Sequence, residues 1–324
     1  MATSPMIGWP NGTRRKIIRL GSKSKGTSNP LVWDLPRTGI LGSIILDIDG
    51  SISGSLSAES ALGFAAVISR IRVIANAGIN LIDISGEGYY NLLKNFLETG
   101  WDVVSQGQGR TAITATTFNL PIVLPVAINS RDEAGLMLLQ DEDIQLRLEV
   151  EFRADASVAT GATVAATCEP FLELFTVPLD PKNRPSFVYA QQITEETAVV
   201  SGAGDQTYNW PRGNIYMQTI HGLGIGASGS AADGFSNLQV KVNQADYLAD
   251  VGLDYLDAEF DRYHGSARPL GVAPVDFMSV SGLGNYGSSR DFFDSQRVTD
   301  LASVVRATGA GTLYTLRRML VPLG

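Results

Sequence analysis

The sequence predicts an all-β chain of two tandem eight-stranded barrels or sandwiches, each with a short helix after an early hairpin. Three observations carry this: many short alternating stretches bounded by Gly and Pro, one helical stretch per half, and a phrase written twice. The phrase is ISRIRVIANAGINLIDISGEGYYNLLKNFLETG, 68–100, and its degraded second copy is FSNLQVKVNQADYLADVGLDYLDAEFDRYHG, 235–265. At an offset of 167, Val73 meets Val240, Asn76 meets Asn243, Leu81 meets Leu248 and Asp83 meets Asp250. Each copy reads as strand, tight turn, strand and helix.

The helices follow from periodicity. Tyr89, Leu92, Leu93, Phe96 and Leu97 lie at i, i+3, i+4, i+7 and i+8, one apolar face of a 3.6-residue period, with Gly100 placed to end the helix. In the second copy Leu253, Leu256, Phe260 and Tyr263 repeat the face, and Gly265 ends it. The turn Asn76-Ala77-Gly78 offers a positive-φ glycine to a three-residue hairpin loop.

The other elements come in order. Ile44, Leu46, Ile48 and Ile52 alternate with Asp47, Asp49, Ser51 and Ser53, a strand with one wet face. Its opening, WDLPRTGILGSII from 33, is echoed by YNWPRGNIYMQTI from 208, which matches Pro36-Arg37 with Pro211-Arg212 and Ile40 with Ile215. Strands are predicted near 112–119, in LPIVLPVAI, and most clearly over 144–153, IQLRLEVEFR, where five apolar and five polar side chains alternate. The stretch 163–177 completes the half. The run VPLDPKNRP, 177–185, has three prolines in nine residues and marks the boundary. The second half has strands at 187–192, 197–201 and 312–323, a Gly-rich loop at 222–234, and large loops over 266–311 with a short helix at 300–306. An eight-stranded jelly roll takes on the order of 150 residues, and each half fits. The expected organisation is a basic N-terminal arm over 1–32, a first jelly roll over 33–180, a Pro-rich linker at 181–185 and a second jelly roll over 186–324.

Composition excludes several classes. No run of about 18 apolar residues exists to span a bilayer, and the first residues lack a signal-peptide core, so synthesis in the cytoplasm is expected. One cysteine, Cys168, excludes an internal disulfide and a cysteine-built zinc site, and its strand-like apolar setting predicts packing. His221 and His264 stand at non-equivalent places, too few for a cupin-type metal site, and neither has a GxSxG elbow. Gly224 to Gly229 matches GxGxxG but opens no helix, and Asp47 to Gly50 lacks the spacing of a calcium loop. Asp141-Glu142-Asp143 reads as a solvated turn. No catalytic, cofactor or metal site is expected, and no enzyme activity.

Charge is unevenly placed. Residues 1–33 carry Arg14, Arg15, Lys16, Arg19, Lys23 and Lys25 with no acid, a balance of +6, against −9 over 34–185 and −5 over 186–324. A basic arm on an acidic body predicts contact with phosphate of nucleic acid or lipid headgroups, or with acidic faces of neighbouring copies. The plainer expectation is a flexible solubilising terminus.

The two units RIRVIANAGINLIDISG-YYNLL and NLQVKVNQADYLADVG-YLDAEF, the Pro-rich joint and the basic arm resemble the double jelly-roll major capsid proteins. That lineage includes tectiviruses, adenoviruses and other icosahedral viruses, many with an internal membrane, and the likeness is closest to small lipid-containing bacteriophages. It implies a homotrimer whose six barrels mimic a hexagon and tile an icosahedral virion shell. The partners it implies are neighbouring capsomers, a vertex (penton) protein and, through the arm, internal-membrane headgroups or genome, with no small-molecule substrate. The competing expectation is a carbohydrate-binding or glycan-active tandem β-sandwich, which needs a carboxylate pair and exposed aromatics on one face. Trp9, Trp33, Trp101 and Trp210 are spread without such a cluster, and Trp33 and Trp210 fall near equivalent positions, as packing residues do.

Overall fold

The computed structural model describes residues 13–26, 29–76, 78–97, 108–128, 135–140, 145–179, 184, 189–226, 231–243, 246–277 and 292–322. In the first half the strands are β1 (Arg15–Arg19), β2 (Lys23–Ser24), β3 (Leu31–Asp34), β4 (Ile40–Glu59), β5 (Ile68–Ala75), β6 (Ile79–Ile84), β7 (Thr117–Asn119), β8 (Ile122–Pro125), β9 (Met137–Leu138), β10 (Leu146–Phe152) and β11 (Ala159–Phe175). One sheet runs β1-β11-β4, with β7, β8 and β9 along the far side of β4, and the facing layer runs β3-β10-β5-β6. This is the interleaved order of a jelly roll, in which β3 and β4, β4 and β5, β6 and β7, β9 and β10, and β10 and β11 fall in opposite sheets while β5 and β6 form a hairpin in one.

The second half repeats it. Its strands are β12 (Tyr189–Val200), β13 (Gly204–Asn209), β14 (Ile215–Leu223), β15 (Phe235–Val242), β16 (Asp246–Gly252), β17 (Val272–Asp276), β18 (Phe293–Asp294), β19 (Leu301–Ala307) and β20 (Gly311–Pro322), with helix α1 (Leu253–His264) after β16. One layer runs β12-β20-β14-β17 and the other β13-β19-β15-β16. Element for element, β12 stands for β1, β13 for β3, β14 for β4, β15 and β16 for β5 and β6, β19 for β10 and β20 for β11.

Fine geometry supports the repeat. Asn76 (φ 50°) and Asn243 (φ 51°) are the non-glycine residues of positive φ among the described residues, and they are equivalent in the two copies. Each ties its hairpin turn alike to the residues that lead into the neighbouring strand. Asn76 donates its N–H to the Gln145 carbonyl and accepts the Gln145 N–H on Oδ1, while Asn243 donates to the Asp300 carbonyl and accepts the Thr299 N–H. The left-handed position is thus Asn76 and not the expected Gly78, because an Asn side chain offsets the strain with a hydrogen bond. The pairing of β4 with β11 slips at Gly42, and that of β14 with β20 slips at Met217, positions equivalent at the offset of 175.

Several expectations need correction. The stretch 300–306 is not a helix but β19, held between β13 and β15 with almost every side chain buried. Sheet partners on both sides override a weak helical propensity. The basic stretch is not a detached arm over its described part, since β1 and β2 pair with β11. Residues 187–192 and 197–201 are described only from Tyr189, where one strand, β12, covers both. After β6 the chain winds irregularly, as a π-turn at Gly88–Leu92 and a 3₁₀ turn at Leu93–Phe96. There Asn91 and Asn95 donate side-chain amides to the carbonyls of Glu87 and Asn91, competing with the regular helix. By contrast α1 is regular and ends on Gly265 at φ 63°, as its sequence predicts. Gly100, the cluster 141–143 and the linker 181–185, apart from Arg184, lie outside the described residues.

The first core is built from Leu31, Ile44, Leu46, Ile48, Ile71, Leu148 and Leu172 and continues without a break into Ile193, Ile220 and Leu316 of the second half. Each such side chain contributes about 1.5–3 kcal/mol on full burial. A second core lies inside the second barrel around Trp210, Tyr216, Phe235, Leu238 and Val305. Cys168 is buried in the first core, where desolvation pushes its thiol pKa well up, as its apolar setting predicted.

Candidate functional site: the junction between barrels and the basic edge

The barrels are stitched by backbone. Strands β6 and β12 pair in parallel, Ile82 with Ile193 and Asp83 with Thr194, so one layer of each barrel merges into a single nine-stranded sheet. The outward face of β12 presents Gln191, Ile193 and Glu195, and barrel one covers all three.

Most polar groups sealed at this junction are paired, Glu87 Oε2 being an exception. The Glu195 carboxylate accepts from the Ser85 N–H at 2.5 Å and the Ser85 hydroxyl at 2.8 Å, while its carbonyl accepts from Arg70 at 2.9 Å. Arg70 also holds Asp83 at 2.5 Å and reaches the Glu195 carboxylate at 3.9 Å. Desolvation raises the Glu195 pKa above the ordinary carboxylate range, against the lowering effect of the Ser85 donors and Arg70. Beside it Arg153 pairs with buried Glu87 at 2.5 Å. Gly88 is required here, because a Cβ would overlap the Glu195 carboxylate. Further along, Arg318 donates to Gln218 at 2.8 Å and Gln191 at 3.3 Å, and Gln191 donates to the Pro125 carbonyl of barrel one. The network holds two sheets in one register, a mechanical task.

His221 lies inside β14, fully buried, with Nδ1 3.1 Å from the Thr315 hydroxyl. Desolvation, then Arg317, lower its pKa to about 3. It has neither the exposure nor the proton affinity of a general base at neutral pH. His264 is the last residue of α1. Among the described residues no group of three or more His, Cys, Asp and Glu could hold a metal ion, and no helix is long and apolar enough to cross a membrane. Trp33 and Trp210 are both buried, donating to the Gly21 carbonyl and the Ser303 hydroxyl.

The six basic residues of the N-terminal stretch are strung along one sheet edge rather than gathered into a pocket. Arg15 pairs with Glu173 and Arg19 with Glu169 on β11, and Lys25 pairs with Asp155. Lys23 donates to the Val32 carbonyl and lies 5.0 Å over the Trp33 ring. Arg14 donates its N–H to the Thr176 hydroxyl and accepts the Thr176 N–H on its carbonyl, and Lys16 lines a cleft with Thr38, Gln140 and Arg184. Sequence reading missed Ser85, Arg70, Glu195, Gln191 and Arg318. A signal was present in TLYTLRRMLVPL, where two adjacent arginines in an apolar strand require that one point into a covered layer.

The architecture is a double jelly roll. The solved structures that it resembles are double jelly-roll major capsid proteins. The STIV MCP shares 14% identity at a TM-score of 0.71, the match covering 96% of this chain and 97% of that one. The major capsid protein P2 from bacteriophage PM2 shares 13% at 0.57, covering 96% and 98%. PBCV-1 VP54 shares 9% at 0.61, covering 96% and 97%. No protein-family model matches the chain, and no curated protein matches its sequence. At these identities the likeness is one of fold.

Proposed function

We propose that this chain is a structural major capsid protein with no enzymatic role. Three copies form a pseudo-hexagonal capsomer, and capsomers tile the icosahedral shell of a virion. The observation that carries the reading is the pair of complete jelly rolls sharing one sheet through β6 and β12, matched almost end to end by solved capsid proteins. Two similar barrels in one chain let a three-fold object occupy a six-fold lattice position. Of the partners open to the basic stretch, neighbouring copies are favoured over headgroups or genome, because Arg15, Arg19 and Lys25 are already matched to carboxylates of their own barrel. A vertex protein would close the shell at its five-fold points.

Light scattering of the purified chain with negative-stain images of the same fraction tests this. Particles of three times 34.6 kDa with a hexagonal outline are expected. A chain that stays monomeric at high concentration would overturn the reading and direct attention to glycan binding.

A further inference from the structure

The junction inside the chain is half of a repeating contact. Each barrel has the same two sheet edges, one ending in the β1 or β12 position and the other in the β6 or β16 position. Within the chain, β6 of barrel one is joined to β12 of barrel two, whereas β1 and β16 end their sheets with no strand beyond them among the described residues. The used edges and the open edges are copies of one another.

We propose that β1 of one chain pairs in parallel with β16 of a second copy, reproducing the β12–β6 junction between molecules. Sheet equivalences give the register. Arg15 lies opposite Phe175 as Gln191 lies opposite Leu320, so Arg15, Ile17 and Arg19 stand where Gln191, Ile193 and Glu195 stand. The offset of 167 sets Ala249 for Ile82 and Asp250 for Asp83. Ile17 therefore pairs with Ala249 of the neighbour, and Ile18 with Asp250.

Burial at equivalent positions points the same way. Ile193 is 0% exposed under barrel one, whereas Ile17 is 54% exposed, on a strand otherwise rich in cations. On the receiving side Leu248 at 46% and Tyr255 at 55% are exposed beside the open edge. An isoleucine repeated where its twin is sealed, facing an uncovered apolar pair, is what a contact absent from one chain leaves behind.

Charge is complementary with the roles exchanged. In the chain, acidic Glu195 meets basic Arg70, which holds Asp83. At the open junction, basic Arg19 replaces Glu195, Asn237 replaces Arg70, and Asp250 accepts from the neutral amides of Asn237 and Gln239 at 3.2 Å each. Arg19, paired with Glu169 of its own barrel but with its side chain 66% exposed, thus shares with Asp250 the cation that barrel two lacks at the Arg70 position. Tyr255 replaces Gly88, offering a ring face to the guanidinium where the in-chain junction needs room for Glu195. The acidic edge would repel another copy of itself, which favours head-to-tail pairing.

This inference takes only the number of chains from the capsomer reading: three in-chain junctions alternating with three between chains close a ring of six barrels. The test is the full-length double variant Ile17→Cys, Ala249→Cys under mild oxidation, with Cys168 left buried. Neighbouring strands stand about 4.8 Å apart, within reach of a disulfide. A reducible product that stops at three chains is expected, with a mixture of the two single variants stopping at two. A trimer in solution that forms no link overturns this interface and leaves the capsomer reading standing. Covalent ladders longer than three support the interface and overturn the three-fold capsomer, and a strict monomer overturns both. Hydrogen exchange on the unaltered chain is the second measurement. Amides in β1 and β16 should exchange at least a hundredfold more slowly in the associated form than in the diluted monomer, and equal rates overturn the pairing.

Discussion

The outer face of barrel one and the outer face of barrel two use the same strand positions under opposite conditions. On β12 and β20 of barrel two, Gln191, Ile193, Glu195 and Arg318 are sealed and every charge finds a partner within the junction. On β1 and β11 of barrel one, Arg15, Ile17, Arg19 and Glu173 hold those places, and the two arginine side chains are 60% and 66% exposed. Duplication supplies the backbone, and the solvent condition of each face then selects the side chains. A face always covered by its own chain can carry a buried carboxylate. A face that its own chain leaves open instead carries ion pairs whose arginines reach into solvent.

The sharpest break in this comparison is truncation at equivalent positions. Glu195→Ala leaves the Ser85 N–H and hydroxyl without their acceptor in a site closed to water, while Arg70 keeps Asp83. It should cost about 2–4 kcal/mol. Arg19→Ala, at the matching place in barrel one, removes an exposed pair and should cost the isolated monomer about 0–1 kcal/mol. Urea unfolding of the two variants measures both, and similar losses would mean that the faces are not the covered and open versions of one design.

A smaller effect probes the likeness instead of the difference. Asn76→Ala and Asn243→Ala each put a side chain that cannot bond into the left-handed region; the first removes the bond from the Gln145 N–H, and the second those from the Thr299 N–H and hydroxyl. Each should cost about 2 kcal/mol, and the double variant should cost the sum, since the sites lie in different barrels. Replacement by Gly keeps the φ and should cost about half as much. Unequal losses would show that the two hairpins, alike in geometry, carry different shares of stability.

Those asparagines also show what the amino-acid order makes legible. The duplicated phrase, the alternation over 144–153 and the Gly265 stop are local patterns, so each could be read without knowing its partner. The helix expected at 300–306 failed because LASVVRA has no decisive period, and the sheets on either side settle it. The basic stretch read as an arm because five residues of strand, RKIIR, say nothing about β11 lying 150 residues away. The junction was illegible for the same reason. Ser85 and Glu195 are 110 residues apart, and only the closed fold brings a hydroxyl, an amide and a carboxylate together. The open edges became readable once the two barrels were laid on one another.

The finest test of the junction is its pH dependence. Burial raises the Glu195 pKa in the folded chain above its unfolded value, so the folded state binds more protons between the two values. Stability from this group is complete below the unfolded value and is lost as the pH rises through the folded one. His221 acts in the opposite sense. Its folded pKa of about 3 lies below the ordinary value near 6.5, so its contribution is complete above that value and is lost as the pH falls toward 3. Glu195→Gln keeps the shape and an acceptor for the Ser85 N–H and cannot ionise, while His221 is unchanged and cancels in the difference. Urea midpoints of the two proteins should therefore converge on the acid side, and the variant should gain on the parent as the pH rises above the ordinary glutamate range. A constant gap across the range would mean that the Glu195 pKa is the same in the folded and unfolded chain, with Arg70 and the Ser85 donors offsetting the cost of burial.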